Sequence, residues 1–158
     1  MKIKQKLGNL FDEPYNREED IYVHCISADY WKLGKCIAKI FRDKFPFLNL
    51  SDEAKEEFKD QFSVGSCFIL THVMDENSSY IANLITKEKY WEKPTYDSLR
   101  KSLESLKKQI NATNNIKRLL MPRIASGLDR LNWIKVLDII IEVFKDVEDL
   151  DVVIYSLK

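Results

Sequence analysis

Neither sign of charge is in excess: lysine plus arginine, and aspartate plus glutamate, number 25 each. That argues against a general nucleic-acid binder, which needs a basic surface, and against an acidic disordered tail. No apolar run reaches the roughly 18 residues that a membrane span needs, so no membrane association is expected. Met1 to Lys6 alternates apolar and charged residues and lacks the apolar core of a secretory signal. Cysteine is scarce and odd in number, with Cys25, Cys36 and Cys67 far apart and no C-x-x-C spacing. Neither a disulfide framework nor a zinc site is therefore expected, and a reducing compartment, nucleus or cytoplasm, is the simplest setting. No repeat, low-complexity stretch or linker breaks the 158 residues, a length that suits one domain, 1–158, around one sizeable core.

What is present reads as alternating strands and helices. Met1 to Leu7 has strand character, and Gly8-Asn9-Leu10-Phe11 breaks it. Asp12 to Asp20 is a polar loop. Ile21 to Ile26 is a short apolar run that fits a buried strand. After the loop Ser27 to Gly34, the spacing of Ile37, Ile40, Phe41 and Phe45 predicts a helix over Lys35 to Lys44 with those residues on one face. Ser51 can cap a short helix that carries Ala54, Phe58 and Phe62 on one face. Cys67 to Met74 and Ser79 to Thr86 read as a hairpin turned at Asp75-Glu76-Asn77-Ser78. Lys87 to Lys93 is a polar loop. From Pro94-Thr95 a helix begins, with Tyr96, Leu99, Leu103, Leu106 and Ile110 on one stripe and Asn111 to Asn115 as its end. Lys117 to Met121 is a strand. Asn132 opens a helix buried through Trp133, Val136, Leu137, Ile140 and Phe144. Asp151 to Leu157 is the last strand. The order β-β-α-α-β-β-α-β-α-β predicts an α/β fold, a three-layer α/β/α sandwich around a mixed sheet.

The chemistry should lie where loops leave parallel strands at one rim of such a sheet. Leu119 to Arg130 is the clearest example: an apolar strand, Pro122, a small-residue loop Ala125-Ser126-Gly127, the carboxylate Asp129, and then a helix. Small residues let backbone N–H groups approach an anion, and a helix N-terminus favours it. Ser27 to Lys35, Lys87 to Lys93 and Gly8 to Phe11 are the companion loops. On the residues alone, Lys87 reads as a solvated loop lysine and Asp129 as a helix-preceding or ion-paired carboxylate. His24, inside an apolar strand, reads as a core histidine.

Taken together these loops resemble the macrodomain family, in particular its terminal ADP-ribose protein glycohydrolase branch. Gly8-Asn9-Leu10-Phe11 is similar to that branch's G-D-L-F. His24-Cys25-Ile26-Ser27 and Gly34-Lys35-Cys36-Ile37-Ala38 are similar to its H-C-I-S and G-x-G-I-A. Leu84-Ile85-Thr86-Lys87 and Lys93-Pro94-Thr95-Tyr96 match L-I-T-K and K-P-T-Y. Met121-Pro122-Arg123-Ile124 and Gly127-Leu128-Asp129-Arg130 match M-P-R-I and G-L-D-R, and Val153 to Leu157 is similar to the branch's ending. The resemblance implies a macrodomain that binds ADP-ribose and hydrolyses the ester joining its distal ribose to a protein glutamate or aspartate. It also implies deacylation of O-acyl-ADP-ribose. Lys87 stands at the position of the branch's nucleophile and Asp129 at that of the aspartate that assists release. The implied ADP-ribose contacts are Asn9, Leu10, Ser27, Gly34, Lys35, Cys36, Ile37, Pro122, Ile124, Ala125, Ser126, Gly127, Leu128 and Tyr155. No metal or other cofactor is implied. The implied partners are ADP-ribose and ADP-ribosylated proteins, with nucleic acid a partner only if itself ADP-ribosylated, and the expected state is a monomer. The alternatives are a non-catalytic ADP-ribose reader and an ADP-ribose 1″-phosphate phosphatase.

A free lysine, with a pKa of about 10.4, is mostly protonated near neutrality and a poor nucleophile; burial favours the amine and a nearby carboxylate the ammonium. The remaining positions divide between site and scaffold. Asn9 stands where the family places an aspartate toward adenine, and its amide can accept there or serve a turn. Tyr155 can stack on adenine or belong to the core. Ser27 can touch the distal ribose or simply open its loop, and Tyr30 and Trp31 can line the loop mouth or anchor it. Two departures bear on the diphosphate. Cys36 replaces the second glycine of G-x-G, and Ala125-Ser126 replaces a glycine-led pair. A Cβ at either place can obstruct close approach of the ligand.

Overall fold

A strand buried on both sides has no polar face to spare, and Asp20–Ser27 is such a strand: every residue is buried except the half-buried Cys25. In the computed structural model, which describes residues 1–29, 36–71, 79–127 and 129–157, it is β2. The other strands are β1 (Lys2–Leu7), β3 (Ser66–Thr71), β4 (Tyr80–Lys87), β5 (Arg118–Pro122) and β6 (Asp151–Ser156). They form one six-stranded sheet in the order β1-β6-β5-β2-β4-β3. All the pairings are parallel except β3 with β4, so the sheet is mixed. The predicted hairpin turn, Asp75 to Ser78, and the predicted end of the strand before it, residues 72–74, lie outside the described residues. The edge strand β1 presents Lys2, Lys4 and Lys6 to solvent, which discourages pairing with another chain.

Alternation along the strands divides the apolar residues between two cores. On one face Val23, Leu84, Leu119 and Val152 pack under α3 (Tyr96–Thr113) and α4 (Trp133–Phe144). On the other, Tyr22, Ile26, Ile85 and Val153 pack with Phe41 of α1 (Cys36–Lys44) and with Phe45, Leu48 and Phe62. Sheet and helices therefore make the three layers expected, in the order expected. A short α2 (Asp52–Phe58) is capped by Ser51, whose hydroxyl accepts from the Ala54 N–H.

The elements depart from their predicted form in instructive places. Ile40 is 51 % exposed, so the α1 face is narrower than its spacing implied. None of the residues of α2 is buried, and Phe62 reaches the core only after a 3-10 turn at Lys59–Gln61. α3 starts, as predicted, after Pro94-Thr95, and the structure adds a capping box in which the Thr95 side chain accepts from the Ser98 N–H and the Ser98 side chain from the Thr95 N–H. It runs on through Asn111 to Thr113, and Asn114 ends it in the left-handed conformation at φ 56°. β4 extends through Lys87, which the sequence reading placed in the following loop.

Candidate active site

Because β1, β2, β4, β5 and β6 run parallel, their carboxyl ends share one rim. Gly8, Ser27, Lys87, Pro122 and Tyr155 all sit there. A cavity of about 930 Å³ lies at the opposite rim, lined by Arg17, Tyr80, Gln109 and Lys117 among others, and holds none of the predicted site residues. Chemistry rather than cavity size therefore locates the site.

Lys87 and Asp129 meet. The lysine Nζ donates to Asp129 Oδ1 at 2.7 Å, and the two side chains are only 13 % and 19 % exposed. Asp129 is presented by a tightly folded loop. The Leu131 N–H donates to the Ala125 carbonyl at 2.9 Å, and the Arg130 N–H to the Gly127 carbonyl at 3.1 Å. The Cys25 thiol lies close enough to feel both charges. Burial first, then the Asp129 carboxylate, pushes its pKa well up, so it stays a neutral thiol.

The phosphate-sized loop is half core and half surface. Ile124 and Ala125 are buried in the core against α3 and α4, so what they can offer a ligand is backbone. Ala125 sits at φ 58°, where glycine would be unstrained, but its methyl is packed inward. Ser126 turns its hydroxyl back to the Ile124 carbonyl at 3.1 Å. At Gly127 an added Cβ would meet no protein atom within 4 Å. Pro122 ends β5 opposite Tyr155. Gly34, Lys35 and Leu128 lie outside the described residues, as do Tyr30 and Trp31; Cys36 and Ile37 begin α1.

At the far side of the rim, Asn9 caps a 3-10 turn over Leu10–Asp12, its Oδ1 accepting from the Phe11 N–H at 2.9 Å. Leu10 is buried in the aromatic core. Tyr155 is half-buried, with one edge of its ring against Gly8, whose φ of 133° requires glycine. Its hydroxyl donates to Glu13 Oε2. That bond pushes the phenol up to about 12 and holds the Glu13 carboxyl below its ordinary value. Glu13 also receives Lys6 at 3.2 Å and Arg118 at 3.0 Å, and Arg118 goes on to Asp20 at 2.6 Å. Reading the sequence as a polar loop over Asp12 to Asp20 missed this network. The local sequence offers only Glu13 beside Pro14, and its partner Arg118 lies 105 positions away.

Ser27 is fully buried, and its hydroxyl donates to Asp29 Oδ1. Asp29, also buried, was not among the expected residues; a serine and an aspartate two apart at a strand end are the local pattern that marks it. His24 is a core residue, 1 % exposed, stacked on Phe41 and hydrogen-bonded to Asn83. Among the described residues no group of three or more His, Cys, Asp or Glu side chains could hold a metal ion.

What the arrangement offers is an amine and a carboxylate in contact at a sheet rim, mostly shielded from water, between loops able to present backbone N–H groups. A proton can pass between the two groups, which is what a lysine needs to become a nucleophile.

The Macro domain family model matches residues 27–140, well over half of the chain, and the chain belongs to that family. It is 39% identical over 150 residues to the ADP-ribose glycohydrolase OARD1 of Bos taurus, covering 95% of this chain and 88% of the relative. To the Homo sapiens protein of the same name the identity is 37% over the same coverage. Among solved structures, the macrodomain of Thermus aquaticus DarG superposes with a TM-score of 0.79 at 21% identity, covering 98% of this chain and 97% of that one. Thermosipho africanus DarTG in complex with ADP-ribose gives 0.77 at 14% identity over 97% of this chain and 42% of that one. These last two likenesses bear on the fold alone.

Proposed function

We propose that this protein binds ADP-ribose and hydrolyses the ester between its distal ribose and a protein glutamate or aspartate, with Lys87 and Asp129 as the reacting pair. The observation that carries the reading is the 2.7 Å contact of two mostly buried groups at the rim where the strand-end loops converge. Identity of 37–39% to proteins named ADP-ribose glycohydrolase, over nearly the whole chain, supports the same substrate class.

In the proposed reaction Lys87 gives a proton to Asp129 and its amine attacks the anomeric carbon. The carbon–nitrogen bond forms as the carbon–oxygen bond to the ester breaks, and the protein carboxylate leaves. Water then adds to the anomeric carbon of the adduct, with Asp129 handling the protons, and the lysine amine departs. The net products are ADP-ribose and the free protein carboxylate. O-acyl-ADP-ribose carries the same kind of ester and is a further substrate in this reading.

The test is incubation with a protein mono-ADP-ribosylated on glutamate, following free ADP-ribose. Release supports the hydrolase. Tight binding of ADP-ribose with no release would leave a reader module instead.

A further inference from the structure

The end of β4 that carries Lys87 is irregular. Ile26 pairs with Ile85, but the next residue, Ser27, pairs with Lys87, so Thr86 is an extra residue in the ladder. Such a bulge bends its strand and re-aims the side chain beside it. The bulge is held from two sides. From α3, the Ser98 hydroxyl donates to the Thr86 carbonyl at 2.7 Å and the Ser102 hydroxyl to the Ile85 carbonyl at 2.9 Å. From beyond β2, the Ala28 N–H donates to the Lys87 carbonyl at 2.8 Å and the Asp29 N–H to the Glu88 carbonyl at 3.2 Å.

The Asp29 side chain completes that second hold. Its Oδ1 accepts from Ser27, and its Oδ2 accepts from the Tyr90 N–H at 3.3 Å. Asp29 is 5 % exposed and makes no ion pair among the described residues. A buried carboxylate is costly unless its oxygens are hydrogen-bonded, and both of these are. One bond goes to Ser27, the last residue of β2, and the other to the loop that follows β4. Three residues, 87, 88 and 90, are thereby tied to 27–29.

We propose that Asp29 is a positioning residue for Lys87: by clamping residues 88–90 onto the end of β2 it fixes the bulge and keeps the lysine amine on Asp129. It acts through the backbone and touches neither member of the pair. Its effect on turnover rests on the hydrolase reading; its effect on the placement of Lys87 does not.

Asp29→Ala and Asp29→Asn separate this role from others. Asparagine can accept from the Tyr90 N–H through Oδ1 and donate to the Ser27 oxygen through Nδ2, so both bridges survive without the charge. Alanine removes both. Asp29→Ala is expected to lower kcat by about 100-fold, the scale of a displacement of about 1 Å at a reacting group, with ADP-ribose affinity within about twofold of wild type. Asp29→Asn is expected to restore kcat. The second readout needs no turnover. Reductive methylation of Lys87, measured by peptide mass against the exposed Lys89, should quicken in Asp29→Ala, where the amine leaves Asp129, and not in Asp29→Asn. If Asp29→Ala does not fold, Ser27→Ala, which removes one bridge, should show a smaller rise in labelling. Wild-type kcat and labelling in Asp29→Ala would overturn the proposal. So would an Asp29→Asn enzyme as slow as Asp29→Ala with Lys87 labelling undisturbed, because charge rather than bridging would then be what Asp29 supplies. If wild-type protein releases no ADP-ribose, the hydrolase reading fails and the labelling alone decides the clamp.

Discussion

Lys87 reaches Asp129 across the end of a strand. The lysine ends β4 and the aspartate follows β5, and β2 lies between those two strands in the sheet. Two inter-strand steps are roughly 10 Å, yet the amine and the carboxylate are 2.7 Å apart. The long lysine side chain and the inward fold of the 123–131 loop close that gap over the end of β2. The pair is thus a product of tertiary structure, 42 positions apart in sequence, and each member should fail in its own way when removed.

Lys87→Ala should abolish ADP-ribose release and leave ADP-ribose binding nearly intact, since a covalent role takes little from ground-state affinity. Asp129→Ala should leave the amine able to attack but slow to let go. Intact mass of the Asp129→Ala protein after exposure to substrate should then show one added ADP-ribosyl unit, absent from the Lys87→Ala, Asp129→Ala double variant. Wild-type turnover in both single variants would remove the pair from the mechanism.

Tyr155 separates ring from hydroxyl. Its O–H belongs to the Glu13–Lys6–Arg118 network, while its half-buried ring lies at the rim with Lys6 Nζ 5.9 Å from the centroid. Tyr155→Phe should destabilise the fold by about 1.5–3 kcal/mol, the worth of a hydrogen bond to a charged group, and leave ADP-ribose affinity unchanged. Tyr155→Ala should cost roughly 1–3 kcal/mol of binding if the ring stacks on the base. Calorimetric titration of both variants decides it: equal losses of affinity would assign the effect to the Glu13 bond.

Local pattern carried most of this fold. The stripe Leu99, Leu103, Leu106 and Ile110 is buried to within 4 %, because a helix presents those positions to one side whatever it packs on. Thr95 and Asn132 both cap as residues of their type do. Features that depend on pairing were beyond the same reading. Lys87 looked like loop because its segment is polar; it is strand because the slip at Thr86 lets it pair with Ser27, about 60 residues away. Asp29 and Glu13 fall in segments that read as loops, and nothing local says that an N–H from Tyr90 or a guanidinium from Arg118 will arrive to make their burial tolerable. The Lys87–Asp129 pair was legible only as a resemblance, through tetrapeptides in order.

Ala125→Gly should be nearly silent. Left-handed backbone costs an alanine about 1–2 kcal/mol. Against that relief stand the extra freedom of glycine in the unfolded chain, about 0.4–1 kcal/mol, and the loss of a buried methyl, about 0.8 kcal/mol. Denaturant melts should place the variant within about 1 kcal/mol of wild type by that sum. ADP-ribose affinity should also hold, because the methyl faces the core and not the ligand loop. A large gain in affinity would mean that the methyl obstructs the ligand after all.

The pH dependence of stability should carry the mark of His24. The ring is 1 % exposed and lies 4.3 Å from the Phe41 ring, nearly parallel to it. Nε2 is 2.6 Å from Asn83 Oδ1, and the Asn83 amide is held in that sense by its own donation to the Phe68 carbonyl at 2.9 Å. Nε2 therefore carries the hydrogen. Nδ1 is buried with no hydrogen-bond partner among the described residues, so protonation would add a donor with none of them to receive it and a charge in an apolar layer. Burial pushes the pKa down to about 4 from the ordinary 6.5, against a smaller upward pull from the Asn83 bond. The unfolded chain accepts a proton below 6.5 that the folded chain refuses until about 4, so stability is full above 6.5 and falls as the pH drops through that window. Between pH 7.5 and 5 the loss should be about 2 kcal/mol. Glu13, held below its ordinary 4.5 first by the Tyr155 hydroxyl and then by Lys6 and Arg118, adds an acid loss only at lower pH and does not overlap that comparison. Urea melts of wild type and His24→Gln at pH 7.5 and 5 test the assignment. The variant should lose less stability than wild type on going to pH 5, by about the 2 kcal/mol that the linkage assigns to this ring. Identical losses in the two proteins would show that His24 takes its proton as readily in the fold as out of it.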